Sequence, residues 1–384
     1  MRVLVAHNFY SKATPSGEND AVISEVAALR GAGLDVALLG PSSDDLPEIA
    51  LHTKAIRLVT GNLLDSEWLS TFDILHVHNP WPSIGYKVFR RAHLRGVRTV
   101  WTLHNYRLDC LSGILFRRGR PCTLCQQRRS FLPGIVHRCY RSSRAQSAAF
   151  AVAQMVQTPA LSQIDTVFTV APGMEKMLRR SALFQGRVLY KPNPQPDVPE
   201  FVMPPLEGRL RFMFAGRLGV EKGVRIFLEA ASLLRAPADF EVAGGGVLEK
   251  EVRSAVASRG NVDFLGLLAP AEVLERLRGA VLCVPSMCPE GMPMIIAQAL
   301  AVGTPVIVSD SGPMASVVQR SFGRVFRSGD PHSLAEQMES IASLGRLDLW
   351  AMRSAARRAF LATFEQSRVI AAQIGYYEDM IRSS

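Results

Sequence analysis

The chain has 384 residues, a net charge of +10, 48% hydrophobic residues and 20% charged residues. This balance excludes a disordered chain, and the length favours two α/β domains. No apolar run reaches the roughly 18 residues that span a bilayer, and the start MRVLVAHNFY lacks the pattern of a signal peptide, so we expect a cytoplasmic protein.

The first elements have the pattern that opens a doubly wound parallel sheet. We predict a strand over residues 2–7, a loop over 9–17, a helix over 18–30 and a strand over 35–39. The loop lacks the GxGxxG sequence, so the fingerprint of a dinucleotide-binding fold is missing here.

A histidine follows one of the next predicted strands. Strands over residues 73–78 and 98–103 flank a helix over 83–94, and the second strand carries His104 to its carboxyl end. Ligands of open α/β sheets bind at such strand ends, so His104 is a candidate site residue. For a single histidine, simple capping of the strand is the alternative.

Residues 105–140 show no clear periodicity and contain four of the six cysteines. The four, spaced C-x11-C-x2-C-x13-C, are Cys110, Cys122, Cys125 and Cys139. This pattern fits a structural zinc site, and a reducing cytosol disfavours disulfides. Free thiols are the alternative, as is a redox pair at the C-x2-C, although no thioredoxin-like strand precedes it.

Positive charge is concentrated in one part of the chain. Residues 87–144 contain 14 lysines and arginines and a single acid, Asp109. Such a field implies an anionic partner, which can be a phosphate, a phospholipid or a nucleic acid. A merely solvated arginine-rich surface usually carries acids as well. The aromatic residues here are too scattered for a stacking platform, so we expect no nucleic acid.

The N-terminal half ends in a proline-rich stretch. We predict a helix over residues 142–157, a strand over 165–170, a helix over 172–180 and a strand over 187–190. Six prolines follow within residues 191–208, where we therefore expect the interdomain linker.

The second half repeats the alternation of strand and helix. The predicted strands cover 209–215, 240–243, 262–265, 281–284 and 304–309, the helices cover 224–234, 247–257, 271–277 and 292–302, and the chain is largely helical after Ser333. Arg217 and Lys222 flank a strand-to-helix turn, as phosphate ligands would. The triplet 244–246 consists of glycines, which let a backbone approach a nucleotide closely.

Residues 280–313 are predicted to form a βαβ unit in which Glu290 lies just before the helix. A helix N-terminus presents unpaired N–H groups that suit anionic or hydroxyl-rich ligands. Gln298 follows about two turns later, so a carboxylate and an amide can together hold hydroxyl groups. The alternative is an ordinary α/β unit with a solvated glutamate.

Four segments together resemble a known family: FAGRLGVEKG, the AGGG turn, PSMCPEGMPMIIAQALAVGTPVIVSD and VWTLHNYR. On these, nearly the whole chain resembles the family 4 retaining glycosyltransferases of GT-B fold. The HNYR…CxxC…CYR stretch is similar to a bacterial cell-surface polysaccharide subgroup. The resemblance implies two Rossmann-like domains facing an interdomain cleft. Residues 1–195, with a C-terminal helix at about 365–384, would bind the acceptor, and 205–364 the donor.

The resemblance also implies roles for individual residues. Arg217 and Lys222 would bind the donor diphosphate and steady the leaving phosphate. Glu290 would hold hydroxyls of the donor sugar, and His104 would lie near the reaction centre. The further donor-binding positions are Gly17, Gly216, Gly244, Gly245, Gly291, Met292, Pro293, Met294 and Gln298.

The chain departs from the family at two of these positions. Gln298 stands where the family has a glutamate that contacts ribose hydroxyls, and the usual pair of glycines is Ser16–Gly17 here. A neutral acceptor in place of a charged one weakens donor binding by about tenfold to thirtyfold. Together with the altered SGPMAS segment, this leaves a catalytically silent protein that binds a nucleotide sugar, or a scaffold, as the alternative function.

The expected activity is the transfer of a sugar, with retention, from a nucleotide diphosphate sugar to a hydroxyl acceptor. No cofactor is required for this reaction, since cations and N–H groups stabilise the leaving diphosphate. The acceptor would be a glycan or a polyprenyl-diphosphate-linked sugar. The basic segment suits peripheral binding to the anionic inner membrane face.

Overall fold

A computed structural model describes residues 1–11, 16–42, 66–178, 184–198, 201–203 and 208–383. The chain divides into two units. Unit 1 comprises Met1–Leu115, Thr123–Pro194 and Gln366–Ser384, and unit 2 comprises Phe116–Cys122 and Gln195–Glu365. Parts of the predicted loop over 9–17, helix over 172–180 and linker over 191–208 lie outside the described residues.

The strands are β1 Arg2–Ala6, β2 Asp35–Leu39, β3 Ile74–Val77, β4 Arg98–Leu103, β5 Phe116–Arg117, β6 Arg120–Pro121, β7 Thr166–Thr169, β8 Arg187–Tyr190, β9 Leu210–Ala215, β10 Ala238–Ala243, β11 Val262–Gly266, β12 Ala280–Val284, β13 Val306–Ser309 and β14 Gly323–Phe326. The α-helices are α1 Gly17–Gly31, α2 Ser66–Leu69, α3 Lys87–His93, α4 Leu124–Arg128, α5 Leu132–Val136, α6 Arg144–Gln157, α7 Glu175–Leu178, α8 Val224–Leu233, α9 Glu249–Ala257, α10 Pro270–Leu277, α11 Met294–Ala301, α12 Pro331–Ala342, α13 Arg346–Thr363 and α14 Gln366–Arg382. Short 3-10 turns cover Thr158–Gln163, Val220–Lys222 and Pro313–Val317.

Unit 1 is built on a parallel sheet of order β2-β1-β3-β4-β7-β8. The central strands β1 and β3 are almost wholly buried, as expected for parallel strands that helices cover on both faces. The last helix, α14, packs against this unit and adds Ile370 and Tyr377 to the core around Val5 and Val26. The predicted return of a C-terminal helix to the N-terminal domain is therefore confirmed.

Unit 2 is built on a second parallel sheet, of order β11-β10-β9-β12-β13-β14. Its core includes three phenylalanines, Phe212, Phe227 and Phe240. The rings of Phe212 and Phe240 stack with centroids 5.8 Å apart, and Phe227 meets Phe240 edge-on at 6.0 Å. The predicted class, α/β with two parallel sheets, is confirmed.

Some helix boundaries differ from the prediction for local reasons. Helix α3 begins at Lys87 rather than at residue 83, because Gly85 has φ +73°, which a right-handed helix does not accommodate. Helix α11 begins at Met294 rather than at residue 292, since Pro293 takes an extended conformation with ψ 128°. Residues 105–140 contain the β5–β6 hairpin and the short helices α4 and α5.

Within the part of the chain that the structure describes, no helix combines the length and the apolar character needed to cross a bilayer.

Candidate functional site

Three neighbouring strands of unit 2 carry most of the predicted donor-binding residues just beyond their ends. Strands β10, β9 and β12 lie side by side and run parallel, so their carboxyl ends meet at one edge of the sheet. The loops that leave this edge contain residues 216–223 after β9, 244–248 after β10 and 285–293 after β12.

The loops after β9 and β10 touch through their backbones. Gly244 has φ +138°, and a Cβ atom on it would lie 1.9 Å from the carbonyl oxygen of Gly216. The N–H of Leu218 donates to the carbonyl oxygen of Gly245 at 2.9 Å. Gly216 and Gly244 therefore come together as predicted, and any side chain at Gly244 would push the two loops apart.

The loop after β9 meets the loop after β12 at another glycine. Gly223 ends the Val220–Lys222 turn with φ +75° and starts α8. A Cβ atom on Gly223 would lie 1.9 Å from the carbonyl oxygen of Pro285. The absence of a side chain thus lets Lys222 approach the segment that contains Glu290.

Lys222 and Glu290 form an ion pair. The Lys222 Nζ lies 2.7 Å from Glu290 Oε2, with the side chains 27% and 14% exposed, and Ser286 Oγ donates to Glu290 Oε1. Burial disfavours the ammonium, but the adjacent carboxylate outweighs it and raises the pKa of Lys222 above its usual value. The Lys222 ammonium therefore keeps its charge near neutral pH, and two predicted site residues are in direct contact.

Arg217 lies two residues beyond β9 and pairs with an acid that the sequence did not single out. Its Nη2 donates to Glu221 Oε1 at 2.7 Å, and its side chain is 50% exposed. The Glu221 carbonyl oxygen also accepts from the N–H of Met287 at 2.8 Å. The i,i+4 spacing of Arg217 and Glu221 was the available signal for this pair.

The remaining predicted residues follow Glu290 into α11. Gly291 and Met292 are buried, Pro293 precedes the helix, and Met294 is its first residue. Gln298 is half-buried in the second turn. These positions place the backbone N–H groups at the start of α11 directly after Glu290 in the chain.

The segment after β13 supports the Glu290 backbone. Gly312 has φ +84°, and a Cβ atom on it would lie 2.9 Å from the Glu290 nitrogen. The N–H of Met314 donates to the Glu290 carbonyl oxygen at 3.3 Å. The SGPMAS segment therefore holds the acid from one side, a role that its sequence alone did not indicate.

In unit 1, His104 follows β4 and stacks on a second histidine. Its Nε2 lies 2.9 Å from Nδ1 of His78, and the ring centroids are 5.2 Å apart. Burial, followed by the neighbouring His78, holds the pKa of His104 well below its usual range, so its imidazole is neutral. The sequence signal for His78 was the HVH pattern of β3, because alternate residues of a strand share one face.

His76 and His78 belong to a buried polar group in unit 1. Among the described residues, the only group of three or more histidines, cysteines and acids with ligand atoms within 4.8 Å of one another is Glu25, His76 and His78. The Lys191 Nζ lies 2.7 Å from Glu25 Oε2, so an ammonium already supplies a cation there.

No cysteine belongs to that group. Cys110 is buried with its Sγ 3.2 Å from Ser112 Oγ, while Cys122, Cys125 and Cys139 are half-buried, and none of the six cysteines forms a disulfide. The structural zinc at these four cysteines stays a prediction. Elemental analysis of the purified protein would show whether zinc is bound.

Gly17, the predicted glycine-loop residue, is exposed at the first position of α1. A second polar cluster begins beside it. Glu18 Oε2 accepts from the Tyr10 hydroxyl at 3.2 Å and from Asn105 Nδ2 at 3.4 Å. Burial raises the pKa of Glu18, while the nearby Arg107 acts in the opposite direction.

Comparison with known families covers most of both units. Residues 16–194 match the model described as glycosyl transferase 4-like domain, and residues 209–343 match the model described as glycosyl transferases group 1.

Two curated relatives match part of the chain. Amylovoran biosynthesis glycosyltransferase AmsK of Erwinia amylovora is 26% identical over 41% of this chain and 42% of its own length. O-antigen chain mannosyltransferase C of Escherichia coli is 27% identical over 45% of this chain and 47% of its own length. The chain thus spans less than half of the length of these relatives.

Solved structures resemble the whole chain at low identity. Sucrose-phosphate synthase from Thermosynechococcus elongatus has a TM-score of 0.69 at 16% identity and covers 100% of both chains. Anabaena HepE in complex with UDP and glucose has a TM-score of 0.64 at 13% identity, covering 99% of this chain and 100% of its own. The galactosyltransferase WaaB has a TM-score of 0.64 at 12% identity and covers 99% of both chains. These likenesses show the fold alone, and they confirm the predicted GT-B architecture.

Replacing Gly223 by alanine tests the contact between the loops after β9 and β12. We expect Gly223→Ala to lower the free energy of unfolding by about 3 kcal/mol or more, because the added Cβ meets a carbonyl oxygen in addition to an unfavourable φ. Gly266→Ala is the matched control, since it shares a positive φ but meets no atom within 4 Å, and it should cost only about 1 kcal/mol. Equal losses in urea denaturation would contradict the proposed contact.

Proposed function

We propose that this chain, which carries a glycosyl transferase 4-like domain and a glycosyl transferases group 1 domain, is a retaining glycosyltransferase. It would move a sugar from a nucleotide diphosphate sugar to a hydroxyl of a glycan precursor. The observation that carries the proposal is the contact of Lys222 with Glu290, with Arg217 and the start of α11 in the same group of loops.

The leaving group determines which interactions are needed. When the bond between the sugar and the diphosphate breaks, negative charge develops on a phosphate oxygen, and fixed cations and N–H groups stabilise it. Arg217 and Lys222 would supply the cations, and the backbone of residues 291–294 would supply the N–H groups. The neighbour HepE, which was crystallised with UDP and with UDP-glucose, supports a donor of this chemical class.

Lys222 and Glu290, which pair with each other here, would each bind a different part of the donor. As the diphosphate binds, the Lys222 ammonium would exchange the carboxylate for a phosphate oxygen, which leaves Glu290 Oε2 to accept a hydroxyl of the donor sugar. Ser286 keeps Glu290 Oε1 engaged, so the acid stays oriented during the exchange.

For the transfer itself, the acceptor oxygen would form a bond to the anomeric carbon on the face from which the diphosphate departs. The proton of the acceptor hydroxyl would move to the leaving phosphate oxygen. This route needs no carboxylate nucleophile and retains the anomeric configuration. His104 would contribute a hydrogen bond near the reacting sugar.

The acceptor is proposed from the relatives and from the surface of unit 1. The names of the two curated relatives, for amylovoran and O-antigen synthesis, support a glycan precursor. Five exposed apolar side chains lie on α5 and α6, which contact each other, and we infer that they form one patch: Leu132, Val136, Val152, Met155 and Val156. It lies in or beside the stretch with 14 basic residues and one acid. Exposed apolar side chains with arginines nearby suit an anionic bilayer surface, and hence a polyprenyl-linked acceptor.

Removal of either cation tests the donor site. We expect Arg217→Ala and Lys222→Ala to lower kcat by about a hundredfold to a thousandfold, since each removes charge stabilisation of the leaving diphosphate. The substrate for the assay is the nucleotide diphosphate sugar that gives the largest rise in melting temperature in a panel that begins with UDP-glucose.

Arg225→Ala is the control for these variants, because Arg225 lies in the same unit but pairs with Glu251 on the exposed surface. Its turnover should match that of the original protein. Near-normal transfer by both Arg217→Ala and Lys222→Ala would refute the assignment. Binding of a donor with neither transfer nor slow hydrolysis would favour the catalytically silent alternative.

The unusual Gln298 yields a second test. We expect Gln298→Glu to tighten binding of the nucleotide diphosphate sugar by about tenfold, because a carboxylate accepts ribose hydroxyls more strongly than an amide does. Isothermal titration measures the change. Gln337→Glu introduces the same charge on α12 of the same unit and should leave the dissociation constant unchanged. Unchanged or weaker binding by Gln298→Glu would show that this residue does not contact the ribose.

The patch on α5 and α6 is tested with vesicles that contain anionic phospholipid. We expect the protein to bind them, and we expect binding to fall at high salt because charged groups are screened. The double variant Leu132→Asp with Met155→Asp should weaken binding at least tenfold, as both side chains are 59% exposed. Ile23→Asp, on the exposed side of α1, is the control. Absence of vesicle binding would instead favour a soluble acceptor.

A further inference from the structure

A chain of buried polar side chains lies behind His104 in unit 1. They come from α1, from β3 and the residue after it, from the residue after β8, and from α14. All are buried: Glu25, His76, His78, Lys191, Gln373 and Tyr377. Burial of so many polar groups is costly unless each one finds a partner. The pattern of donors and acceptors in this cluster therefore restricts where its protons lie.

Lys191 determines the orientation of Gln373. An ammonium can only donate, and Lys191 Nζ donates to Glu25 Oε2 at 2.7 Å and to Gln373 Oε1 at 3.2 Å. The amide nitrogen of Gln373 must therefore point the other way. It donates to Glu25 Oε1 and to the Tyr377 oxygen, both at 2.6 Å.

The proton of the Tyr377 hydroxyl is then directed to His76. Because the Tyr377 oxygen accepts from Gln373, its own O–H is left to donate to Nδ1 of His76 at 2.6 Å. His76 therefore carries its proton on Nε2 and donates to Thr102 Oγ1, also at 2.6 Å. These proton positions are assigned from the hydrogen-bond network, and every atom named is satisfied.

Glu25 also faces the histidine that touches His104. Although burial opposes its ionisation, the adjacent Lys191 ammonium lowers the pKa of Glu25, so it is a carboxylate. Its Oε1 lies 3.6 Å from Nε2 of His78, too far for a hydrogen bond, so the carboxylate acts on that nitrogen through its charge. The same oxygen lies 3.5 Å from Nδ1 of His76, where the shorter bond of 2.6 Å from Tyr377 decides the tautomer. Nε2 of His78 has no such bond among the described residues, so the negative charge favours the His78 tautomer that carries the proton on Nε2.

The His78 tautomer determines that of His104. With its proton on Nε2, neutral His78 has an unprotonated Nδ1. The hydrogen bond of 2.9 Å between the two rings then requires His104 to donate from Nε2. Nδ1 of His104 is consequently left as the acceptor of that ring.

We propose that Glu25, held by Lys191 and Gln373, is a positioning residue that fixes His104 in the tautomer protonated on Nε2 and so presents Nδ1 as an acceptor for a substrate hydroxyl. This rests on the proposed function, which puts His104 near the reacting sugar. Glu25 itself does not touch the substrate. The hydroxyl that binds Nδ1 of His104 can belong to the sugar donor or to the sugar acceptor. A deoxy analogue of each substrate distinguishes the two cases.

The tautomer can be measured without any assay of transfer. Long-range proton–nitrogen spectra of the full chain, labelled with ¹⁵N-histidine, separate protonated from unprotonated ring nitrogens, and a His104→Gln variant identifies the His104 signals. We expect His104 to show an unprotonated Nδ1. Glu25→Gln should convert this pattern into a mixture of tautomers, because an amide can either donate to His78 or accept from it.

A second variant keeps the test informative if Glu25→Gln does not fold. Glu25→Gln combined with Lys191→Met replaces the buried ion pair with neutral groups, and such replacements usually keep a protein folded. This double variant should likewise convert the single His104 tautomer into a mixture of the two. Gln154→Met is the control, because Gln154 is equally buried in unit 1 but bonds to Tyr86 and to the Arg107 carbonyl oxygen. It should leave the His104 signals unchanged.

Kinetics supply a second readout. With a donor that is turned over, the double variant should lower kcat at least tenfold and leave the dissociation constant of the nucleoside diphosphate product within twofold, because the proposed ligands of the diphosphate other than Gly17 lie in unit 2. A His104 protonated on Nδ1 in the original protein, or an unchanged tautomer in the double variant, would overturn the positioning role. If no donor is turned over, the proposed function fails, and the spectra still decide the role of Glu25.

Discussion

Backbone contact between strand-end loops is the constraint on which the candidate site in unit 2 depends. Parallel strands bring the loops to one edge of the sheet, but only glycine lets them touch. Gly244 rests on the Gly216 carbonyl, and Gly223 rests on the Pro285 carbonyl. These loops carry the charged residues of the site. The Lys222–Glu290 contact at 2.7 Å therefore depends on glycine, which has no side chain, at positions 223 and 244.

Much of this arrangement was predictable from the sequence, because it depends on local patterns. Apolar strands followed by glycines indicated the two parallel sheets, and the GRLGVEKG and PEGMP segments indicated which strand ends carry chemistry. The position of Glu290 before a helix was likewise predictable, since the apolar rhythm of α11 indicates a helix there, although the prediction began it at residue 292 rather than at Met294. The similarity of both units to glycosyltransferase domains agrees with that interpretation.

The partners of the predicted residues were not predictable, because they come from distant parts of the chain. Glu25 and Lys191 are 166 residues apart, and Glu25 and Gln373 are 348 apart. No periodicity links such positions, and a lysine at the end of an edge strand resembles any solvated lysine. His104 was therefore identified as a single histidine, whereas the structure shows it as the outermost member of a buried polar cluster.

The position of α14 has a consequence for synthesis on the ribosome. Residues 366–382 emerge after unit 2, yet they supply Gln373 and Tyr377 to the interior of unit 1, most of which is made before unit 2. Until then the nascent N-terminal sheet exposes apolar surface, and the Glu25–Lys191 pair lacks its bonds to Gln373. Unit 2, which is encoded almost entirely between residues 195 and 365, has all of its own core before that moment. The core of unit 1 can therefore be completed only after unit 2 has been synthesised, although most of unit 1 is made first.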